Sequence, residues 1–372
     1  QQQQRAISSF HMDDSWSGRL QPYLTTIKAV SAVAGLLMVG VGGLYLALNQ
    51  HLDRKWPPPP EVTRGETRRL LRGAALREHI APDPRIAYLF LLRALEQIYS
   101  DGVLAEDSPA VQELVVRMAN AAAQAGEHEP AARILEDAWR RVVDSDGHIA
   151  SDDSGWTRLQ VCRIADALGP LQLRTNHSAA IGTYGTALRA AKHALDATAD
   201  DAGDAREELL LRHANYLTSL GEAFALGGDL DSAQALLAGV LKELREQQDT
   251  QPEAKKADEW TCLDAVVMLD LAQVARKRGD PAEARSWAAA GLAVTEKWPS
   301  THACQVCHGH LLAQLAAVAE AQGDKRTARS FHSIALKHAK ATGRGDAEKA
   351  ESAIQRLDEE LSKQTAGDST KP

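Results

Sequence analysis

The sequence predicts an all-α protein: one membrane-crossing helix, then a long body of packed helix pairs. Three observations carry this. Ala29 to Leu48 (AVSAVAGLLMVGVGGLYLAL) runs twenty residues without a charge, enough at ~1.5 Å per residue to cover the ~30 Å hydrocarbon core of a bilayer. Downstream of it, turn glycines recur in register with their neighbours. Period-2 runs of β-branched residues are missing and aromatic residues make up only 5% of the chain, which suits close helix-on-helix packing and argues against a sheet.

The ends of the apolar run support a span. Lys28 precedes it; Asn49, Gln50, His51, Asp53, Arg54 and Lys55 follow, and Tyr45 and Trp56 are placed as interfacial anchors. A secretory signal would have a shorter apolar core and a small-residue cleavage site; here charges and then prolines follow. Gly35, Gly40 and Gly43 leave a flat helix face, and Gly43 and Ala47 have small-xxx-small spacing. Residues 1–28 read as the end of a targeting or polar segment. The opening residue is not Met, as expected of a fragment or processed product. Arg5-Ala6-Ile7-Ser8-Ser9 matches the arginine-three-back cleavage pattern of mitochondrial presequences, and the first twelve residues hold no acid.

Residues 49–83 are expected to form a proline-containing basic linker. Trp56 and Pro57 to Pro60 read as a stiff extended spacer. Arg64, Arg68, Arg69, Arg72 and Arg77 are suited to anionic head groups or to a solvated helix face.

From Pro84 the chain reads as helix after helix to about residue 363. Leu220-Gly221-Glu222-Ala223-Phe224, then Gly228-Asp229, then Ala233, Leu237 and Val240 fit one template. A large apolar residue is followed by a small one and then a bulky one; next come a turn glycine and small or apolar places on a second helix. Three other segments fit: Met118-Ala119 to Ala138 with Gly126, Leu271-Ala272 to Gly291 with Gly279-Asp280, and Leu315-Ala316 to Ala335 with Gly323-Asp324. A weaker copy has helices near Trp156–Leu168 and Ala179–Leu195, with Gly169 to Ser178 expected as a long loop. This is the tetratricopeptide repeat (TPR) pattern, and the predicted fold is a single transmembrane helix followed by a TPR α-solenoid. Each helix pair has an apolar stripe that only its neighbours can bury, and small residues let the two helices approach. The copies are spaced wider than the consensus of about 34 residues. The extra length is expected in Asp144–Ser154, Thr198–Arg206 and Gln247–Asp258. A last helix near Asp346–Leu361 would cover the apolar end, and residues 364–372 are expected as a disordered tail.

The net charge of −8 removes any general attraction to nucleic acid. Four cysteines, Cys162, Cys262, Cys304 and Cys307, are too few for a disulfide scaffold. Cys304-Gln-Val-Cys307-His308 matches the haem-attachment pattern, and the same residues with His302 or His310 have a zinc-like composition. A helical disulfide between Cys304 and Cys307 is a further alternative, and packing at a helix start is the plainest one. No metal, haem or other cofactor is predicted. No nucleophile elbow, phosphate loop, metalloprotease signature or dinucleotide fingerprint is present, so no catalytic centre is expected.

A binding surface is expected instead. In a TPR stack the groove is lined by the second, fifth, ninth and twelfth places of each first helix. Counting along the template gives Asn120, Asn215, Glu222, Gln273, Arg276, His310 and Glu320, a mixed polar groove suited to an extended peptide or a partner helix. A carboxylate clamp for chaperone tails is not expected, since only Asn120 fits it and Val116 stands where it needs Lys.

Anchor, spacer, repeats and leader together resemble the TPR adaptor subunits of the i-AAA protease of the mitochondrial inner membrane, the mitochondrial-genome-required family. The resemblance covers Ala29 to about Ser362 and rests on the early single span, the widely spaced repeats and the cysteines Cys304 and Cys307 opening the last repeat. It implies a non-enzymatic adaptor that binds misfolded or unassembled membrane proteins and delivers them to the AAA protease. It also implies a body in the intermembrane space. The charges Arg54, Lys55, Arg64, Arg68 and Arg69 favour the opposite sidedness. An outer-membrane TPR import receptor and a mitochondrial assembly factor with metal or haem at Cys304–His308 are the rival readings.

Overall fold

A computed structural model describes residues 43, 46–62, 65–102, 104–106, 108–149, 155–199, 203–250, 258–343 and 347–368. The expected leader and most of the expected span lie outside the described residues. Among the described residues no helix is long and apolar enough to cross a membrane. The chain divides into two compact units, Gln1–Ala125 and Gly126–Pro372.

The first unit holds α1 (residues 46–55), α2 (Gly65–His79), α3 (Pro84–Asp101) and α4 (Pro109–Gln124). The helix starts follow from capping. Asp83 accepts from Ile86 N at 3.2 Å and Ser108 from Val111 N at 3.4 Å, each followed by a proline that suits the first helical turn. The stretch expected as a linker is folded. Pro57–Pro60 lead into a turn in which Val62 N donates to Pro59 O at 3.0 Å, and Leu52 and Val62 are buried. Arg72 Nε donates to Asp53 Oδ1 at 2.8 Å, and α2 packs on α3 and buries Leu71, Ala74 and Ala75. The apolar i, i+3, i+4 spacing of α2 outweighs the linker signal of its arginines.

The second unit holds α5 (His128–Val142), α6 (Gly155–Thr175), α7 (His177–Ala197), α8 (Asp204–Gly227), α9 (Leu230–Thr250), α10 (Asp258–Lys277), α11 (Pro281–Thr295), α12 (His302–Ala321), α13 (Lys325–Thr342) and α14 (Ala347–Asp368). Consecutive helices pack as pairs, and the first helices also pack on one another, α8 on α10 and α10 on α12. Of the template copy Met118–Ala138, the first helix belongs to the first unit and the second helix to the second.

The Gly-Asp signal has one physical form throughout. Gly228, Gly279 and Gly323 sit at φ +91°, +82° and +80°, the left-handed region that costs glycine little. The next residue, Asp229, Asp280 or Asp324, sends its N–H back to the carbonyl five residues earlier at 3.0 Å in each case, which satisfies an orphan helix-end carbonyl. Its carboxylate then caps the following helix, accepting from Ser232 N (3.1 Å), Glu283 N (2.9 Å) and Thr327 N (3.1 Å). Ala233, Ala284 and Ala328, the small residues opening the second helices, are fully buried. A Cβ on Gly221 would stand 2.7 Å from Leu237 Cγ, so α8 and α9 meet closer there than alanine permits.

The expected loop Gly169–Ser178 is instead helix. α6 continues through Pro170 to Thr175, and Asn176 alone separates it from α7, accepting from Ala179 N at 3.1 Å. Leu168, Leu171 and Gln172 are buried on both sides of the Gly-Pro step, and that burial overrides a helix-breaking cost of about 3 kcal/mol. Gly169 is required, since a Cβ there would lie 2.3 Å from the Tyr184 ring. At the end of the chain, α14 closes the stack: Leu357 packs with Ala319 and Ala328. It runs on to Asp368, past the expected start of the tail.

Candidate functional site

The first helices carry the predicted groove residues, and the structure gathers three of them. Arg276 of α10 and His310 and Glu320 of α12 stand around a trough of about 520 Å³. Its floor is alanine and glycine from α12, α13 and α14, including Ala313, Ala317, Ala335 and Ala339. Glu320 accepts from His332 Nε2 at 3.0 Å and from Arg356 Nη2 at 2.6 Å. Partial burial works to raise its carboxyl, but these two partners win and hold it below the ordinary value of 4.5.

Glu222 of α8 lies elsewhere, beside Asp270 of α10. It is open to water on one side, yet the protein crowding it raises its carboxyl above 4.5, with Lys277 pulling the other way. Asp270 is held well above 3.8 by desolvation and by the charge of Glu222. Lys277 Nζ donates to Ala225 O at 2.9 Å. Asn215 is exposed and Gln273 half-buried, and neither lines the trough. Asn120 belongs to the first unit, where it lines a cavity of about 610 Å³ with Lys55, Trp56, Glu78, His79 and Arg117. Trp56 stacks on His79 there, ring centroids 4.2 Å apart.

Template counting misses two groups. Asp270 precedes the large apolar Leu271 and so falls outside the counted places. Between α6 and α8, Asp166 accepts from the Tyr216 hydroxyl at 2.7 Å and from Arg212 Nη1 at 2.7 Å. The α6 copy was too weak in sequence to place Asp166.

The cysteines depart from the haem, zinc and Cys304–Cys307 disulfide alternatives, while packing at a helix start holds for Cys307. Cys262 of α10 is disulfide-bonded to Cys304 of α12, with Cα atoms 5.2 Å apart. Cys304 is therefore not joined to Cys307, and it is not available for haem attachment or zinc. Cys307 is a buried free thiol packed with Leu311 and Leu315, pushed up to about 12 by burial. Cys162 is likewise buried and raised to about 11. Such thiols are poor nucleophiles at neutral pH. Among the described residues no group of three or more His, Cys, Asp or Glu is arranged to hold a metal ion.

Paired antiparallel helices, glycine–aspartate turns at one offset and stacked first helices define the class: a TPR-like helical-repeat protein. No protein-family model and no curated protein matches the sequence. The structure is similar in fold to several solved proteins. One is NprR in complex with its cognate peptide NprX, at 14% identity over 88% of this chain and 79% of that one, TM-score 0.47. Another is BtubC (BKLC) from P. vanneervenii, at 16% identity over 71% of this chain and 93% of that one, TM-score 0.43. A third is a putative kinesin light chain of Podosopora anserina with nearly identical TPR-like repeats, at 14% identity over 64% of this chain and all (100%) of that one, TM-score 0.41.

Proposed function

We propose that this chain is a membrane-anchored adaptor that binds misfolded or unassembled membrane proteins and delivers them to an AAA protease of the mitochondrial inner membrane. The observation that supports it most directly is the meeting of Arg276, His310 and Glu320 around an apolar trough floored by α12, α13 and α14. Such a surface, apolar at its base and charged at its rim, suits a segment of another protein better than a small metabolite. The anchor is supplied by Ala29–Leu48, and the leader-like start points to mitochondria. The Cys262–Cys304 bridge supports a body in an oxidising space such as the intermembrane space, because reducing compartments keep thiols free.

Affinity purification from mitochondria in mild detergent tests the role: an AAA protease should co-purify, and its repeated absence would refute the adaptor reading. Sidedness is tested by protease protection. The body should be cleaved once the outer membrane is ruptured, and resistance in such mitoplasts would put it in the matrix.

A further inference from the structure

The trough at the α12–α14 end has a definite chemistry. Ala313 and Ala317 on α12 and Ala335 and Ala339 on α13 are each four apart, so each pair stacks on one helix face. Ala350 and Ala353 of α14 complete the floor. None of these side chains extends beyond Cβ, so the floor cannot fill the space above it. The volume of about 520 Å³ falls inside the range of pockets that bind ligands, roughly 300–1,000 Å³. Two rows of small residues also let another helix come unusually close.

The rim fixes the sign of the occupant. Arg276, Lys349 and Arg356 stand against one carboxylate, Glu320. Glu320 is already engaged by His332 and Arg356. Arg276 is exposed, and its guanidinium makes no ion pair or hydrogen bond with any described residue. The sign belongs to this end of the stack. At the α8–α10 junction two carboxyls, Glu222 and Asp270, stand with one nearby cation, Lys277, whose ammonium is already bonded to Ala225 O.

We infer that the trough receives an amphipathic helix of a partner protein, its bulky apolar side chains on the alanine floor and its Asp or Glu residues toward Arg276. This deepens the adaptor reading and rests on it, by stating which segments of a client are held.

The test uses the full chain in mild detergent and two fluorescein-labelled peptides. Both carry leucine on one helical face; one has glutamate on the other face and its twin has lysine. Fluorescence anisotropy should show the glutamate peptide binding about tenfold or more tighter than the lysine twin, with the advantage shrinking as salt rises. Arg276→Glu, a surface change whose melting curve should match that of the parent, should abolish the preference. Ala317→Trp should block both peptides by filling the floor. Equal or tighter binding of the lysine twin, binding indifferent to Arg276→Glu, or no binding of either peptide would overturn the inference. Co-purification of an AAA protease, scored on the same preparations, reports separately: its persistence beside failed peptide binding removes this inference alone, and its loss beside intact peptide binding removes the adaptor reading alone.

Discussion

Glu222 and Glu320 come from the same template reading, and the fold treats them in opposite ways. At the middle of the stack Glu222 stands beside Asp270; desolvation holds both carboxyls up, the charge of Glu222 adds to the rise at Asp270, and Lys277 partly offsets the rise at Glu222. At the end of the stack Glu320 sits between His332 and Arg356, and its carboxyl is held down. A place in a repeat fixes which way a side chain points. Its neighbours on the next helix then decide whether the charge is a strain or a support. The middle junction is thus electrostatically tense, whereas at the end Glu320 is neutralised by its own partners.

The Cys262–Cys304 bridge fastens these two regions, and breaking it should have the largest effect. It closes a loop of 42 residues in sequence separation, and chain-entropy reasoning assigns such a cross-link about 4 kcal/mol. Cys304→Ser should lower the stability of the second unit by that order in chemical denaturation. Added reductant should do the same to the parent and nothing further to the variant. A parent insensitive to reductant would show that the bridge carries no stability.

Leu357 tests the end region by packing alone. It is about 1% exposed and lies against Ala319 and Ala328. Leu357→Ala should cost about 2–5 kcal/mol, and faster hydrogen exchange should concentrate in α13 and α14. Uniformly faster exchange over α6 to α14 would mean that the stack opens as one body.

Asp270 tests the middle. Its folded-state value lies above the ordinary 3.8, so the folded chain holds a proton that the unfolded chain has released. Stability on this account falls as pH rises from 3.8 through the raised value. Asp270→Asn should remove that fall and stabilise the protein at neutral pH by about 1–3 kcal/mol, the scale of an uncompensated polar group. Denaturation midpoints taken across pH 5 to 8 should rise toward acid in the parent and flatten in the variant.

What the sequence made legible was the chemistry of short range. Gly-Asp announces both a left-handed turn residue and a helix cap, so Gly228-Asp229, Gly279-Asp280 and Gly323-Asp324 were readable. The trough residues Arg276, His310 and Glu320 followed from counting, because helical phase carries over a single helix. Legibility ended where a second element decides. Pro170 reads as a breaker until Leu168 and Leu171 are seen to be buried. Asp270 lay outside the counted places, and what sets its charge, its burial and Glu222, comes from the packing of another helix. Four cysteines allow three complete pairings, and only the stacking of α10 on α12 brings Cys262 to Cys304.

Glu320 supplies the smallest effect and the cleanest contrast with Asp270. Its value is depressed below 4.5, so its stabilisation is fully present above that pH and is lost as pH falls through the lower folded value. The pair with Arg356 is partly exposed, with side-chain exposures of 50% and 24%, so solvent screening limits its worth to about 1 kcal/mol or less. Glu320→Gln keeps the shape and removes the charge. It should lower stability slightly at neutral pH and leave it unchanged in acid below the folded value, opposite in sign to Asp270→Asn. If both variants shifted stability in the same direction at neutral pH, the two carboxyls would not be set by their neighbours as argued. The contrast between a tense middle and a neutralised end would then fail.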